Sequence, residues 1–179
     1  MSGNNPGSGP QSIDSLPELM AHALAIEVEA EANYALLAEQ METHNNPDLA
    51  KIFRKLADIE GRHAEALRQQ TAAMDLPRLK PWQFKWQGTD SPEALDIGAA
   101  HYLMTPWHAL SLALEAEQRA HRFFDALAKS ATDPEIQAMA AEFAEEEAGH
   151  VALVEDLLAK QTEPDENWAD DFDPAQLQE

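Results

Sequence analysis

The sequence predicts an all-α protein: four long helices forming a bundle, arranged as two antiparallel hairpins joined by a long crossover. Four segments rich in Ala, Leu, Glu and Gln carry apolar residues at alternating steps of three and four, and no segment alternates with the period of two that a strand needs. Asn46, Thr105 and Asp133 each precede a proline, the pattern of an N-cap followed by Pro at the first helical position. The joints between the first and second and between the third and fourth segments are only a few residues long, which fits hairpins.

The expected helices run from about Ser15 to Thr43, from Pro47 to about Met74, from Pro106 to about Ser130 and from Pro134 to about Lys160. The connection from Asp75 to Thr105 is about thirty residues, and a helix of about 26 residues is roughly 39 Å long. A crossover of that length lets the third helix start at the same end as the second and run parallel to it. Within it, Ser91-Pro92-Glu93 resembles the cap of a short extra helix through Met104, and Trp82, Phe84 and Trp86 are expected to seal the bundle rather than bind a ligand. Residues 1–14 have the composition of a disordered segment, 15–160 form the bundle, and 161–179 form an acidic tail.

Composition bounds the chemistry. The 179 residues include no cysteine, which removes disulfides, thiolate nucleophiles, iron–sulfur clusters and cysteine-ligated zinc, so a metal here would need oxygen and nitrogen ligands. A net charge of −21, from 33 acidic and 12 basic residues, argues against nucleic acid or an anionic membrane surface as partner and favours cations. The absence of a long apolar run or a leader pattern leads to the expectation of a cytoplasmic protein.

Chemistry enters through an internal repeat. Glu60-Gly61-Arg62-His63 recurs as Glu147-Ala148-Gly149-His150, and the helix opening Asn46-Pro47-Asp48 recurs as Asp133-Pro134-Glu135 at the same offset. Glu and His three residues apart lie on one helix face, a spacing that is also common on solvated surfaces. The apolar stripes separate the two readings. In the second helix the stripe runs Leu49, Phe53, Leu56, Glu60, His63, Leu67, and in the fourth Met139, Phe143, Glu147, His150, Val154, Leu157. Both motifs therefore occupy core positions. The first helix carries Met20, Ala23, Glu27, Ala30, Tyr34, Leu37, Met41 and the third Leu110, Ala113, Glu117, Ala120, Phe124, Leu127, each with one carboxylate in an apolar line.

Counted from the two hairpin turns, Glu27, Glu60, His63, Glu117, Glu147 and His150 fall at one height, so all six can converge. No Lys or Arg stands on the four stripes to pair with the acids. Burying ionised carboxylates without partners costs several kcal/mol each, and two divalent cations would neutralise four of them. A Glu from two helices and Glu-x-x-His from the other two is a recurrent di-metal solution. Tyr34 is a candidate hydrogen-bond partner of a ligand carboxylate or a plain core tyrosine. His121, one turn beyond Glu117, could approach the site, whereas His22, His44, His101 and His108 read as surface or capping residues. Glu29, Glu31, Glu115, Glu145 and Glu146 read as a solvated face beside the stripes, with metal entry as the lesser alternative.

These residues resemble the ferritin-like superfamily and, within it, the rubrerythrin family of di-iron carboxylate proteins, over roughly residues 15–160. The resemblance rests on Glu27 with Tyr34, on the run from Phe53 to Glu65, and on the repeat of both in the second half. It implies a ferritin-like bundle with two Fe ions per chain, Mn or Zn being substitutes, Glu60 and Glu147 bridging them and Glu27, Glu117, His63 and His150 as terminal ligands. It also implies a ferroxidase or a peroxidase acting on Fe(II), O2 or H2O2, and a homodimer. Two features depart from the pattern: there is no four-cysteine rubredoxin domain, so electrons must come from an external donor or from Fe(II), and Ala120 stands where peroxide-reducing members carry an extra Glu. A non-catalytic iron-handling protein is the alternative reading. A third is a partner-binding module that uses the acidic tail and Trp168.

Overall fold

The computed structural model describes residues 12–86, 90–95 and 104–164. Four helices make up the bundle: α1 (Leu16–Thr43), α2 (Pro47–Gln70), α3 (Pro106–Ser130) and α4 (Pro134–Leu158). These bounds follow the expected ones except at the end of α2. There the Thr71 hydroxyl and backbone N–H both donate to the Leu67 carbonyl, at 2.7 and 2.9 Å, and the chain turns over Thr71–Met74 instead of continuing. The hydroxyl shares this last ladder acceptor with the N–H.

Local chemistry starts each helix. Ser15 Oγ accepts the Glu18 N–H, Asn46 Oδ1 accepts the Leu49 N–H at 3.3 Å, and Asp133 Oδ1 accepts the Glu135 N–H at 2.8 Å. At Thr105 the device differs: its own backbone N–H donates to His108 Nδ1 at 3.2 Å. The α1–α2 turn places Asn45 at φ 57°, the left-handed region that Asn tolerates better than most residues.

α1 packs along α2 and α3 along α4, while α1 also meets α4 and α2 meets α3, closing a ring of four. The Asn46 side-chain amide donates to the Met104 carbonyl at 3.2 Å, which ties the start of α2 to the start of α3. Those two helices therefore begin at the same end, as the long crossover requires, and the architecture is a ferritin-like four-helix bundle. Its core divides into two apolar clusters, one around Tyr34, Leu37, Met41, Leu49, Phe53 and Leu110 and the other around Leu19, Met20, Ile26, Phe124, Ile136 and Ala140. A belt of buried polar side chains lies between them.

The described part of the crossover holds one 3-10 turn over Pro81–Gln83 and is fastened to α1 by a histidine. His22, expected at the surface or a cap, is fully buried. Its Nδ1 donates to the Glu18 carbonyl at 2.8 Å and its Nε2 accepts the Lys85 backbone N–H at 3.0 Å. Phe84 and Trp86 stack on each other and both meet the His22 ring edge-on. Trp86 also meets Phe123 of α3, so these two aromatics seal the bundle. Trp82 does not; it is 77% exposed with the Lys80 ammonium over its ring. The expected short helix through Met104, His101, the N-terminal segment before Ser12 and the tail beyond Pro164, with Trp168, lie wholly or largely outside the described residues. Among the described residues, no helix is long and apolar enough to cross a membrane.

Candidate metal centre

Each of the four helices delivers one glutamate to the middle of the bundle, and α2 and α4 add a histidine one turn later. Glu27, Glu60, Glu117 and Glu147 are all at most 4% exposed and His150 is 8% exposed. His150 Nδ1 is the hub: it lies 3.3 Å from Glu117 Oε2, 3.4 Å from Glu147 Oε2 and 3.8 Å from Glu60 Oε2. Glu60, Glu117 and His150 present donor atoms within 4.8 Å of one another, a spacing that can hold a metal ion. A second such group consists of Glu117, Glu147 and Glu93, so Glu117 belongs to both.

The remaining two predicted residues stand at the margin. Glu27 is close enough to Glu60 and Glu147 for their charges to raise it, but belongs to neither three-residue group. His63 stacks edge-on against His150, with ring centroids 4.6 Å apart, and points its Nδ1 at Glu146 Oε1, 2.9 Å away on α4. Glu146 is exposed, as expected of a solvated face, and its carboxylate also pairs with His63, which holds it below the usual carboxylate range. His121 is half-buried and joins neither group. Tyr34 crosses the core from α1, and its hydroxyl donates to Glu117 Oε1 at 2.9 Å.

The electrostatics are those of a centre built for cations. Burial, then the neighbouring Glu147 and Glu60, pushes Glu27 up to about 10. Burial and Glu117 raise Glu60 to about 7, and burial also raises Glu147. Burial would lower His150, but its hydrogen-bonding contacts with Glu117 and Glu147 outweigh that and raise it to about 11. One oxygen on each of Glu27, Glu60, Glu117 and Glu147, and both ring nitrogens of His150, are buried without a well-formed hydrogen bond among the described residues. Native interiors rarely leave such groups bare, and oxygen donors with one or two imidazoles suit Fe, Mn or Zn. The residues therefore fit a pair of divalent metal ions.

The rubrerythrin family profile matches residues 18–92 and 108–173, both halves of the repeat. The chain belongs to the rubrerythrin family. A crystal structure of an uncharacterised conserved protein from Magnetospirillum magnetotacticum is 38% identical in sequence, with a TM-score of 0.66 over 84% of this chain and 98% of that one. No curated protein matches the chain.

In this rubrerythrin-family chain one core carboxylate has no counterpart in the repeat. Glu93, from the crossover, is 2% exposed and joins Glu117 and Glu147. Sequence patterning places it at the cap of a short helix and does not mark it for the core; an irregular segment has no period to show which way a side chain points. Glu27 and His63 also line a cavity beside the centre. This cavity of about 130 Å³ between α2 and α4 is lined further by Leu67, Met139 and Phe143, and by the acidic pair Glu142 and Glu146.

Proposed function

We propose that this protein is a di-iron oxidoreductase in which Glu27, Glu60, His63, Glu117, Glu147 and His150 hold two iron ions, and that it oxidises Fe(II) or reduces O2 or peroxide. The observation that carries the reading is the set of bare, buried carboxylate oxygens around His150, in a chain of a family associated with iron. When bound, the iron pair supplies two one-electron redox centres and so the capacity to pass two electrons to an oxidant.

The protein's own residues prepare that site. The Tyr34 hydroxyl holds Glu117 Oε1 and leaves Oε2 bare toward His150. Burial and the neighbouring acids raise Glu27 to about 10, which favours its protonated form, so a cation arriving there displaces that proton. Glu142 and Glu146 line the cavity from which cations would come, and the net charge of −21 draws them toward it. Apolar side chains pack on both sides of the acidic belt.

Rapid mixing of the Fe(II)-loaded protein with O2 or H2O2, followed by absorbance, tests the reading. Oxidation faster than the protein-free control is expected, and its loss in Glu60→Ala and Glu147→Ala ties it to the site. The acidic cavity mouth also suits the second reading, an iron-handling protein that binds ions without turnover. Stoichiometric binding with oxidation no faster than the control would establish that reading in place of the first.

A further inference from the structure

We propose that Glu93 is a seventh protein ligand of the metal pair, delivered by the crossover and held in place by Arg119. The inference rests on the di-metal reading above and adds to it a residue that lies outside the helix repeat. Glu93 is 2% exposed, and neither carboxylate oxygen has a hydrogen-bond partner among the described residues. It is aimed at the centre, with a donor atom within 4.8 Å of those of Glu117 and Glu147. A carboxylate kept in such a place for packing alone would be a costly choice, since an apolar side chain of equal volume fills the space without desolvating an acid.

Its backbone is clamped from behind. Arg119 of α3 donates from Nε to the Pro92 carbonyl at 2.8 Å and from Nη2 to the Ala94 carbonyl at 2.7 Å. The guanidinium thus forks across the two residues flanking Glu93, and the Ala94 N–H closes a turn onto the Ser91 carbonyl at 3.0 Å. Arg119 bonds the backbone on either side of Glu93 and so fixes the segment from which the carboxylate projects. Ala120, the next residue along α3, is fully buried and offers no donor, so the extra carboxylate of this centre comes from a different element of the fold.

Anaerobic titration of the full chain with Co(II), followed by calorimetry and by the visible d–d absorption, tests the assignment without any turnover. The wild type is expected to take two ions per chain. Glu93→Gln keeps the shape and removes the anionic donor; it should weaken one of the two ions at least as much as losing an outer partner does, about 10–100-fold, and change the band intensity as the coordination number falls. Arg119→Ala should shift affinity and spectrum in the same direction, with Arg119→Lys recovering only part because an ammonium cannot span both carbonyls. Two ions with unchanged affinities and spectrum in Glu93→Gln would overturn this proposal and leave the six-ligand site standing. No Co(II) binding by the folded wild type would overturn both.

Discussion

At the scale of single residues, the centre depends on polar atoms whose partners are few and specific. Tyr34 is fully buried, its ring stacks on Phe53 and its hydroxyl donates to Glu117, so Tyr34→Phe should leave the ring packing intact and deprive one buried acceptor of its donor. The expected cost to the metal-free protein is about 1–3 kcal/mol in urea unfolding, the usual penalty for a buried group left unsatisfied. His22→Ala should cost about 2–4 kcal/mol, because it removes two hydrogen bonds and two aromatic contacts and leaves a cavity. Limited proteolysis of that variant should cut the crossover first. The burial of the four helix glutamates and of His150 was legible in the sequence because each interrupts an apolar stripe, whereas His63, also on a stripe, lies at the margin against the exposed Glu146. His22 was legible too, since it falls on the same face as Leu19 and Ile26, but a test for acidic partners passes over a histidine whose partners are backbone groups. Glu93 was not legible: what buries it is a turn and an arginine clamp, neither of which leaves a periodic trace.

At the scale of elements, the helices follow from their stripes and their N-terminal chemistry, which is why their limits could be read within a few residues. The end of α2 comes a few residues before the expected one, at a turn over Thr71–Met74. Asn46 has two roles, capping α2 and tying it to the carbonyl of Met104. Asn46→Ala is therefore expected to cost about 1–2 kcal/mol, near the upper end for a cap, and Asn46→Asp, which keeps the cap oxygen but loses the amide donor, should cost less. Chemical denaturation of the two variants side by side checks the order. The crossover was legible as a length, and its aromatic seal in part: Phe84 and Trp86 are inside and Trp82 is outside, a distinction that composition cannot make.

At the scale of the whole molecule, a belt of acids between two apolar clusters makes stability depend on pH and on metal. Glu27 and Glu60 ordinarily titrate at 4.5 and are raised to about 10 and about 7. Groups raised on folding add stability that is complete below their unfolded values and is lost as the pH rises through the folded ones. His150, raised from 6.5 to about 11, acts in the same direction. The melting temperature of the metal-free protein should therefore fall as the pH rises from about 5 to about 9, and divalent metal should restore it most at the alkaline end, where fewer protons must leave. On the acid side His22, lowered from 6.5 by burial, works the other way: its contribution is present above 6.5 and is lost as the pH falls through its lowered value. A flat thermal profile with and without metal would contradict this picture. The central claim, that inward-facing acids and imidazoles from all four helices form one di-metal site, is tested most directly by counting iron after anaerobic Fe(II) loading and removal of unbound ions. Two ions per chain, falling below one in the Glu60→Ala/Glu147→Ala double variant, is the predicted result; no retained iron, or a count unchanged by that double substitution, would contradict it.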